Sequence, residues 1–78
     1  MLGYLEDIKT ILKDITGADF PWLDMDALLD QVPGLSVDDY TLMLIRLEEK
    51  YNIEIDVDEL ESLHDFGDLC LLIVSKTA

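Results

Sequence analysis

Ser36 is the residue of this chain whose type and position could take part in covalent chemistry. It follows Gly34-Leu35 and precedes Val37-Asp38-Asp39, at the predicted start of an acidic helix with an apolar face. A hydroxyl at that place can cap the helix or serve as a covalent attachment point. A serine hydroxyl is a poor nucleophile unless a base activates it, and only Asp38 and Asp39 lie nearby in the sequence. The sequence therefore disfavours a catalytic Ser36 and leaves two roles open, a helix cap and a covalent attachment point.

Two further residues, Cys70 and His64, could suggest a thiol nucleophile with a base. Cys70 lies inside an apolar run, and a free cysteine in such a run is usually a small core residue. We therefore predict a buried Cys70 and a His64 at the surface, and no catalytic residue.

Two acidic pairs, Asp24/Asp26 and Asp56/Asp58, raise the question of a calcium loop. An EF-hand loop needs an oxygen ligand at its fifth position and a glycine at its sixth. Both fifth positions hold leucine, Leu28 and Leu60, and neither sixth position is glycine. No metal site is predicted.

Length and charge narrow the classes of partner. The chain has 78 residues, which predicts a single domain over residues 1–78. Its net charge of −13 repels nucleic acid and anionic membranes and favours protein partners with basic patches. The N-terminal residues do not resemble a secretory signal, and no apolar run reaches membrane-spanning length. We expect a cytoplasmic monomer that binds no nucleic acid and does not insert into membranes.

Apolar residues at steps of three and four predict a first helix. A long connection separates this helix from Ser36. This first helix ends at Gly17, a residue type common just past a helix C-terminus. Residues 18–35 are predicted to be a connection pinned to the core, with a short helical turn over residues 26–31. The first helix is predicted from Leu2, Leu5, Ile8, Leu12 and Ile15, and the pinning residues are Trp22, Leu23, Leu28, Leu29 and Val32.

The second long helix is predicted over residues 36–50, with Ser36 and Asp39 in an approximate capping box. Its apolar residues exceed what one core-facing stripe needs, so part of them must be covered by a loop or a partner. The predicted core stripe is Val37, Tyr40, Leu44, Leu47 and Tyr51, and the surplus is Leu42, Met43 and Ile45.

The rest of the chain completes an all-α prediction. An extended link at Ile53-Glu54-Ile55 leads to a short third helix over residues 58–63. The fourth helix is predicted over residues 66–75, and the sum is a small four-helix bundle. The inner face of the fourth helix is predicted to be Phe66, Leu69, Cys70, Ile73 and Val74.

At this point three runs resemble the acyl carrier protein family. The run from Leu28 to Asp38 is similar to the family's approach to its modified serine, Gly-x-Asp-Ser-Leu. The second is Leu47-Glu48-Glu49-Lys50-Tyr51-Asn52-Ile53-Glu54-Ile55, which resembles Leu-Glu-Glu-x-Phe-x-Ile-x-Ile. The third is Leu63-His64-Asp65-Phe66-Gly67-Asp68, which is similar to Ile-x-Thr-Val-Gly-Asp. The resemblance covers nearly the whole chain and implies an acyl-carrier-type bundle.

The departures from the family pattern fall around the serine. Leu35 replaces the usual Asp, Val37 replaces the usual Leu, and Ser36 lies eleven positions before Leu47 where the family has ten. A gapless alignment would place Val37 at the modified position. The good match upstream of Ser36 favours one residue gained at the junction between loop and helix.

The resemblance implies a carrier and not an enzyme. A phosphopantetheinyl transferase would move phosphopantetheine from coenzyme A onto Ser36, and the arm would hold acyl intermediates as thioesters. Acyl-processing enzymes with basic patches would dock on the second helix. The resemblance implies that the residues of this chain that contact these partners are Asp38, Asp39, Leu42, Ile45, Glu48 and Glu49.

Within that implied function the sequence leaves alternatives open. Fatty acid, polyketide, lipid-modification and peptide-synthesis carriers share the pattern, and the acidity favours acyl over peptidyl carriers. A core of flexible aliphatic residues with few rings could open to shelter an acyl chain. The rival hypothesis is an unmodified carrier-like interaction module that uses the apolar surface of Leu42, Met43 and Ile45, with Ser36 as a cap alone.

Overall fold

In a computed structural model the chain folds into four helices, and the structure describes residues 2–77, with the side chain of Leu2 excepted. Met1 and Ala78, the ends of the predicted 1–78 domain, and the predicted core role of the Leu2 side chain lie outside the described residues. The helices are α1 (Leu2–Thr16), α2 (Val37–Tyr51), α3 (Val57–Glu61) and α4 (Phe66–Thr77). The all-α bundle with a long first connection and a short third helix is confirmed. None of these helices is long and apolar enough to cross a membrane.

Local signals begin and end the helices within two residues of the predicted bounds; α3, for example, spans Val57–Glu61 instead of residues 58–63. Gly17 follows α1 with a φ of 77°, and its amide donates to the Lys13 carbonyl at 2.7 Å. Ser36 and Asp39 form a capping box at α2, and Asn52, in the left-handed conformation, ends that helix. Asp56 and Glu59 form a second capping box at α3. These caps satisfy backbone groups that a helix end leaves without partners.

The core lies between α1, α2 and α4 and is entirely apolar among the described residues. No buried side-chain polar atom there lacks a hydrogen-bond partner. The side chains buried in the core come from the three long helices and from the first connection. They are Leu5, Ile8, Ile11, Leu12, Phe20, Leu23, Leu29, Val32, Met43, Leu44, Leu47, Phe66, Leu69, Cys70 and Ile73.

Two core assignments in α2 were wrong. Met43 is fully buried, because it follows Tyr40 by three residues and precedes Leu47 by four, which puts it on the core face. Val37 is 81% exposed, because it lies in the first turn of α2, beyond the edge of the core.

The first connection is pinned as predicted, but by partly different residues. Leu23, Leu29 and Val32 are buried, whereas Trp22 is 49% exposed and packs edge-to-face on the buried Phe20. Leu28 is also exposed and forms an isolated bridge with Asp65. Residues 26–31 form turns instead of the predicted helical turn. Of this aromatic pair, only the Phe20 ring is buried and holds the connection to the core.

The connection also holds the start of α4. Phe66 donates its amide to the Ala27 carbonyl at 3.0 Å, and Gly67 donates to the Met25 carbonyl at 2.8 Å. A side chain on Gly67 would meet that carbonyl oxygen at 3.0 Å. The glycine is therefore what lets this backbone approach so closely, and the approach fixes the loop that leads to Ser36.

Candidate functional site

Ser36 lies at the N-terminus of α2, and its side chain is exposed. Its backbone is extended, with φ −82° and ψ 169°. Its Oγ accepts a hydrogen bond from the Asp39 amide at 3.1 Å, and the Asp39 carboxylate accepts from the Ser36 amide at 3.3 Å. The hydroxyl therefore caps the helix while it remains open to solvent, so the capping role and an attachment role are compatible.

No described group is placed to activate the Ser36 hydroxyl. The Asp39 carboxylate is engaged with the backbone in the capping box, and Asp38 is exposed. Neither a histidine nor a lysine hydrogen-bonds to Ser36 within residues 2–77. The chemistry of any modification must therefore come from a second protein.

A cleft of about 470 Å³ opens beside Ser36. The first connection forms one side of it, the start of α2 forms the second, and α3 with the segment after it forms the third. Leu29 and Val32 in its lining are buried, whereas Ser36 and Val37 are exposed. The lining residues are Leu28, Leu29, Asp30, Gln31, Val32, Leu35, Ser36, Val37, Tyr40, Leu60, Leu63 and His64.

Tyr40 contributes the ring in the wall of this cleft. Burial, and to a lesser extent the nearby Asp30 carboxylate, raises the pKa of the Tyr40 phenol above its ordinary value. The phenol is therefore neutral at physiological pH. The neutral phenol and the leucines of the lining suit an uncharged chain, and Asp30, Gln31 and His64 make the rest of the lining polar.

An exposed stripe runs along α2 away from Ser36. Its residues are Asp38, Leu42, Ile45 and Glu49, whose spacing of four, three and four places them on one face. Leu42 and Ile45 are 44% and 43% exposed. At 1.5 Å per residue the stripe is about 16 Å long. We call this set the α2 stripe; it has an apolar centre with a carboxylate at each end.

The other two predicted docking residues, Asp39 and Glu48, lie off this stripe. The Asp39 carboxylate caps α2. The Glu48 Oε2 accepts a hydrogen bond from the Ile55 amide at 2.9 Å, in the link before α3. The structure thus separates the predicted docking set into four residues that face solvent together and two whose carboxylates bond backbone.

Two polar contacts, one that joins α4 to α3 and one at the start of α4, were missed in the sequence. Lys76 of α4 pairs with the Glu59 carboxylate of α3 at 2.9 Å, and Asp65 accepts from the Asp68 amide at 2.8 Å at the start of α4. The Asp65-x-x-Asp68 spacing is a readable capping signal. The pairing of Lys76 with Glu59 carries no sequence signal, because it joins two helices through the tertiary fold.

The rival chemistries find no support among the described residues. Cys70 is fully buried, and burial raises the pKa of its thiol, which disfavours the reactive thiolate. His64 is exposed, as predicted. Within residues 2–77 no group of three His, Cys, Asp or Glu side chains is arranged to hold a metal ion.

The geometry at Ser36 fits a covalently attached phosphodiester. The hydroxyl is exposed, and the first amides of α2, which have no partner within the helix, lie next to it. A helix N-terminus favours a negative group through these amides and through the helix dipole. The neighbouring cleft could accept the apolar end of an attached arm.

Comparison with known proteins gives two kinds of likeness. No family model matches the sequence. The acyl carrier proteins of Tropheryma whipplei strains Twist and TW08/27 are each 34% identical to this chain over 76 residues, which cover 95% of this chain and 90% of theirs. The solution NMR structure of holo acyl carrier protein from Geobacter metallireducens is similar in fold, with a TM-score of 0.77 and 22% identity over 92% of this chain and 83% of that one.

Proposed function

Because this chain belongs to the acyl carrier protein family, we propose that it carries its acyl groups on a phosphopantetheine arm attached to Ser36. Acyl carriers of this family are not enzymes, and phosphopantetheine is the group they carry. When bound, the arm supplies a thiol that forms a thioester with the acyl group. The role of this chain is to present the arm, to shelter the attached acyl group and to be recognised by partner enzymes.

One observation carries the assignment to Ser36: an exposed hydroxyl at the N-terminus of α2, in the lining of a cleft that contains several leucines. Val37, which a gapless family alignment would put at the modified position, has no hydroxyl. α2 begins at Val37, directly after Ser36, and is continuous to Tyr51. Ser36 therefore lies at the junction between loop and helix, which supports it as the attachment point.

The cleft is the proposed shelter for the cargo. Leu29, Leu35, Leu60 and Leu63 give it an apolar lining, and burying a methylene group there is worth about 0.8 kcal/mol. Methyl groups of these leucines should change their chemical shifts when a medium-length acyl chain is loaded. Unchanged shifts would show that the cargo stays outside.

The α2 stripe is the proposed docking surface for the transferase and the acyl-processing enzymes. Its two ends, Asp38 and Glu49, suit basic groups, and Leu42 and Ile45 suit an apolar contact between them. Arg46 is exposed on the flank of the stripe. The complementary partner surface would therefore have a basic group at each end of an apolar centre. The free buried thiol of Cys70 is compatible with the reducing cytoplasm, which we keep as the proposed location.

The direct test is the intact mass after incubation with coenzyme A, magnesium and a broad-specificity phosphopantetheinyl transferase. We expect the wild-type chain to gain one phosphopantetheine and Ser36→Ala to gain none. A well-folded wild-type protein with no gain would contradict the assignment. It would favour an unmodified carrier-like interaction module instead.

A further inference from the structure

The short helix α3 is held in place by two polar contacts from different helices. From α2, the Glu48 carboxylate accepts the Ile55 amide at 2.9 Å, one residue before the α3 cap Asp56. From α4, Lys76 pairs with Glu59 at 2.9 Å. Both the Lys76 and the Glu59 side chains are mostly shielded, with 24% and 30% exposure.

These contacts matter because α3 has little apolar anchoring. None of its residues is fully buried, whereas α2 and α4 bury three and four. Leu60 in α3 and Leu63 just after it are only partly buried, and both line the cleft beside Ser36. The third wall of the cleft is therefore held by these polar contacts together with the partly buried side chains of Ile53, Ile55, Leu60 and Leu63.

Glu48 connects this wall to the docking helix. It lies on α2 next to Glu49 and three residues after Ile45, so it borders the α2 stripe. The side chain of its neighbour Glu49 is exposed, and its carboxylate makes no hydrogen bond or ion pair among the described residues. The two glutamates are adjacent and chemically identical, yet only one of them bonds to the link before α3.

We propose that Glu48 is a positioning residue for the cleft: its carboxylate holds the Ile55 amide and thereby α3, so that this contact keeps the third wall of the cleft in place over the cargo. This inference rests on the proposed role of Ser36 as the attachment site, but its first test uses the unmodified protein. A failure of Ser36 to take the arm would appear in the intact mass and is distinguishable from a failure of the positioning role.

The first test is amide hydrogen exchange by NMR on the unmodified wild type, Glu48→Ala, Glu48→Gln and Glu49→Ala. We expect Ile55 exchange to rise about tenfold in Glu48→Ala, because a hydrogen bond to a charged acceptor is lost. Glu48→Gln keeps a neutral acceptor and should rise less, and Glu49→Ala should match the wild type. Equal Ile55 exchange in Glu48→Ala and Glu49→Ala would overturn the proposal. Glu48→Gln keeps the test decisive if Glu48→Ala fails to fold.

The consequence for cargo is tested on octanoyl-loaded protein. Hydroxylamine should cleave the thioester on the order of threefold faster in Glu48→Ala than in the wild type, with Glu49→Ala at the wild-type rate, because an opened wall exposes the chain more often. Equal cleavage rates in all three proteins would overturn a role for Glu48 in the shelter.

Discussion

Ser36 has two roles that single substitutions can separate. Its Oγ caps α2 through the Asp39 amide, and its hydroxyl is the proposed attachment point. Asparagine is an equally good capping residue that cannot accept the arm, whereas alanine lacks both properties.

We therefore expect Ser36→Ala to lose about 1 kcal/mol of unfolding free energy and Ser36→Asn to lose little. Neither variant should gain phosphopantetheine. Urea unfolding of the unmodified proteins, followed by circular dichroism, measures the first effect, and intact mass measures the second. If Ser36→Asn were as unstable as Ser36→Ala, the capping role would be refuted.

Tyr51 joins α1 and α2 at the end of the bundle away from the cleft. Its hydroxyl donates to the Asp7 carboxylate, and its ring packs edge-to-face on Tyr4 with centroids 5.2 Å apart. Burial, and then the hydrogen bond to Asp7, raises the pKa of Tyr51 well above its ordinary value. A raised pKa in the folded state means that folding favours the protonated phenol.

The contribution of Tyr51 should be complete below about pH 10 and should fall as the pH rises further, because the unfolded phenol ionises first. We expect Tyr51→Phe to be about 1 kcal/mol less stable than the wild type at neutral pH. The difference should shrink between about pH 10 and pH 11. Thermal unfolding of both proteins across that range measures it, and a constant difference would show that Tyr51 does not titrate as described.

At the scale of elements, the α2 stripe combines charge at its ends with an apolar centre. The sequence alone predicts that charge reversal at Glu48 and Glu49 together slows a partner enzyme. The structure separates these residues, since Glu49 faces solvent and Glu48 holds Ile55. A reversal at Glu49 therefore reports docking without disturbing α3.

We expect Glu49→Lys to slow modification by the transferase about three- to tenfold at low salt, with the effect fading at high salt as the charges are screened. Asp14→Lys makes the same change of charge at an exposed position of α1 and serves as the control. Initial rates of phosphopantetheine incorporation measure both. Equal slowing in the two variants would indicate that net charge, and not the stripe, governs recognition.

The start of α4 depends on the closeness of Gly67 to the first connection. An alanine Cβ at this position would meet the Met25 carbonyl oxygen at 3.0 Å and the Asp65 carboxylate at 3.2 Å. The clash would outweigh the better helix propensity of alanine.

Gly67→Ala should therefore lose about 1 to 2 kcal/mol, or roughly 4 to 15 °C in Tm for a chain of this size. Gly3→Ala is the matched control, because its Cβ would meet nothing within 4 Å and alanine favours the helix. Calorimetry measures the change in Tm of both variants. A Gly67→Ala protein as stable as Gly3→Ala would show that the connection moves away at little cost.

At the scale of the whole molecule, the net charge of −13 opposes folding through self-repulsion. Residues 2–77 contain four ion pairs, of which three include a largely exposed side chain and are worth little each, and only Lys76–Glu59 is mostly shielded. Repulsion among the excess carboxylates should therefore dominate the response to salt.

We expect Tm to rise by several degrees between about 0.01 M and about 0.3 M sodium chloride, because the Debye length shortens from about 30 Å to below 10 Å. At low salt the Debye length is therefore about as long as the molecule, whose extents are 30 × 23 × 22 Å, and at high salt it is much shorter. Calorimetry at neutral pH measures the rise. A Tm that falls with salt would mean that the ion pairs outweigh the repulsion.

The sequence determined the helices and their caps, because each depends on neighbours within about four residues. The periodicity of α1, the Ser36-x-x-Asp39 box and Gly17 are all local signals of this kind. Ser36 as the residue for covalent attachment was predicted from the resemblance to the family and stays a prediction. Burial was less predictable where one face of a helix meets the edge of the core. For that reason Val37, expected in the core, is exposed, and Met43, expected at the surface, is buried. The sequence also did not show that the Phe20 ring would be more buried than the Trp22 ring.

Only the tertiary structure decided what lies beside Ser36 and what holds it in place. The cleft joins residues from the first connection, α2 and α3, and the Lys76–Glu59 pair joins two separate helices. Glu48 and Glu49 are adjacent and identical in the sequence, yet only Glu48 reaches the Ile55 amide. Such distinctions depend on the direction of each side chain relative to the packed neighbours, and that direction is set only when the helices come together.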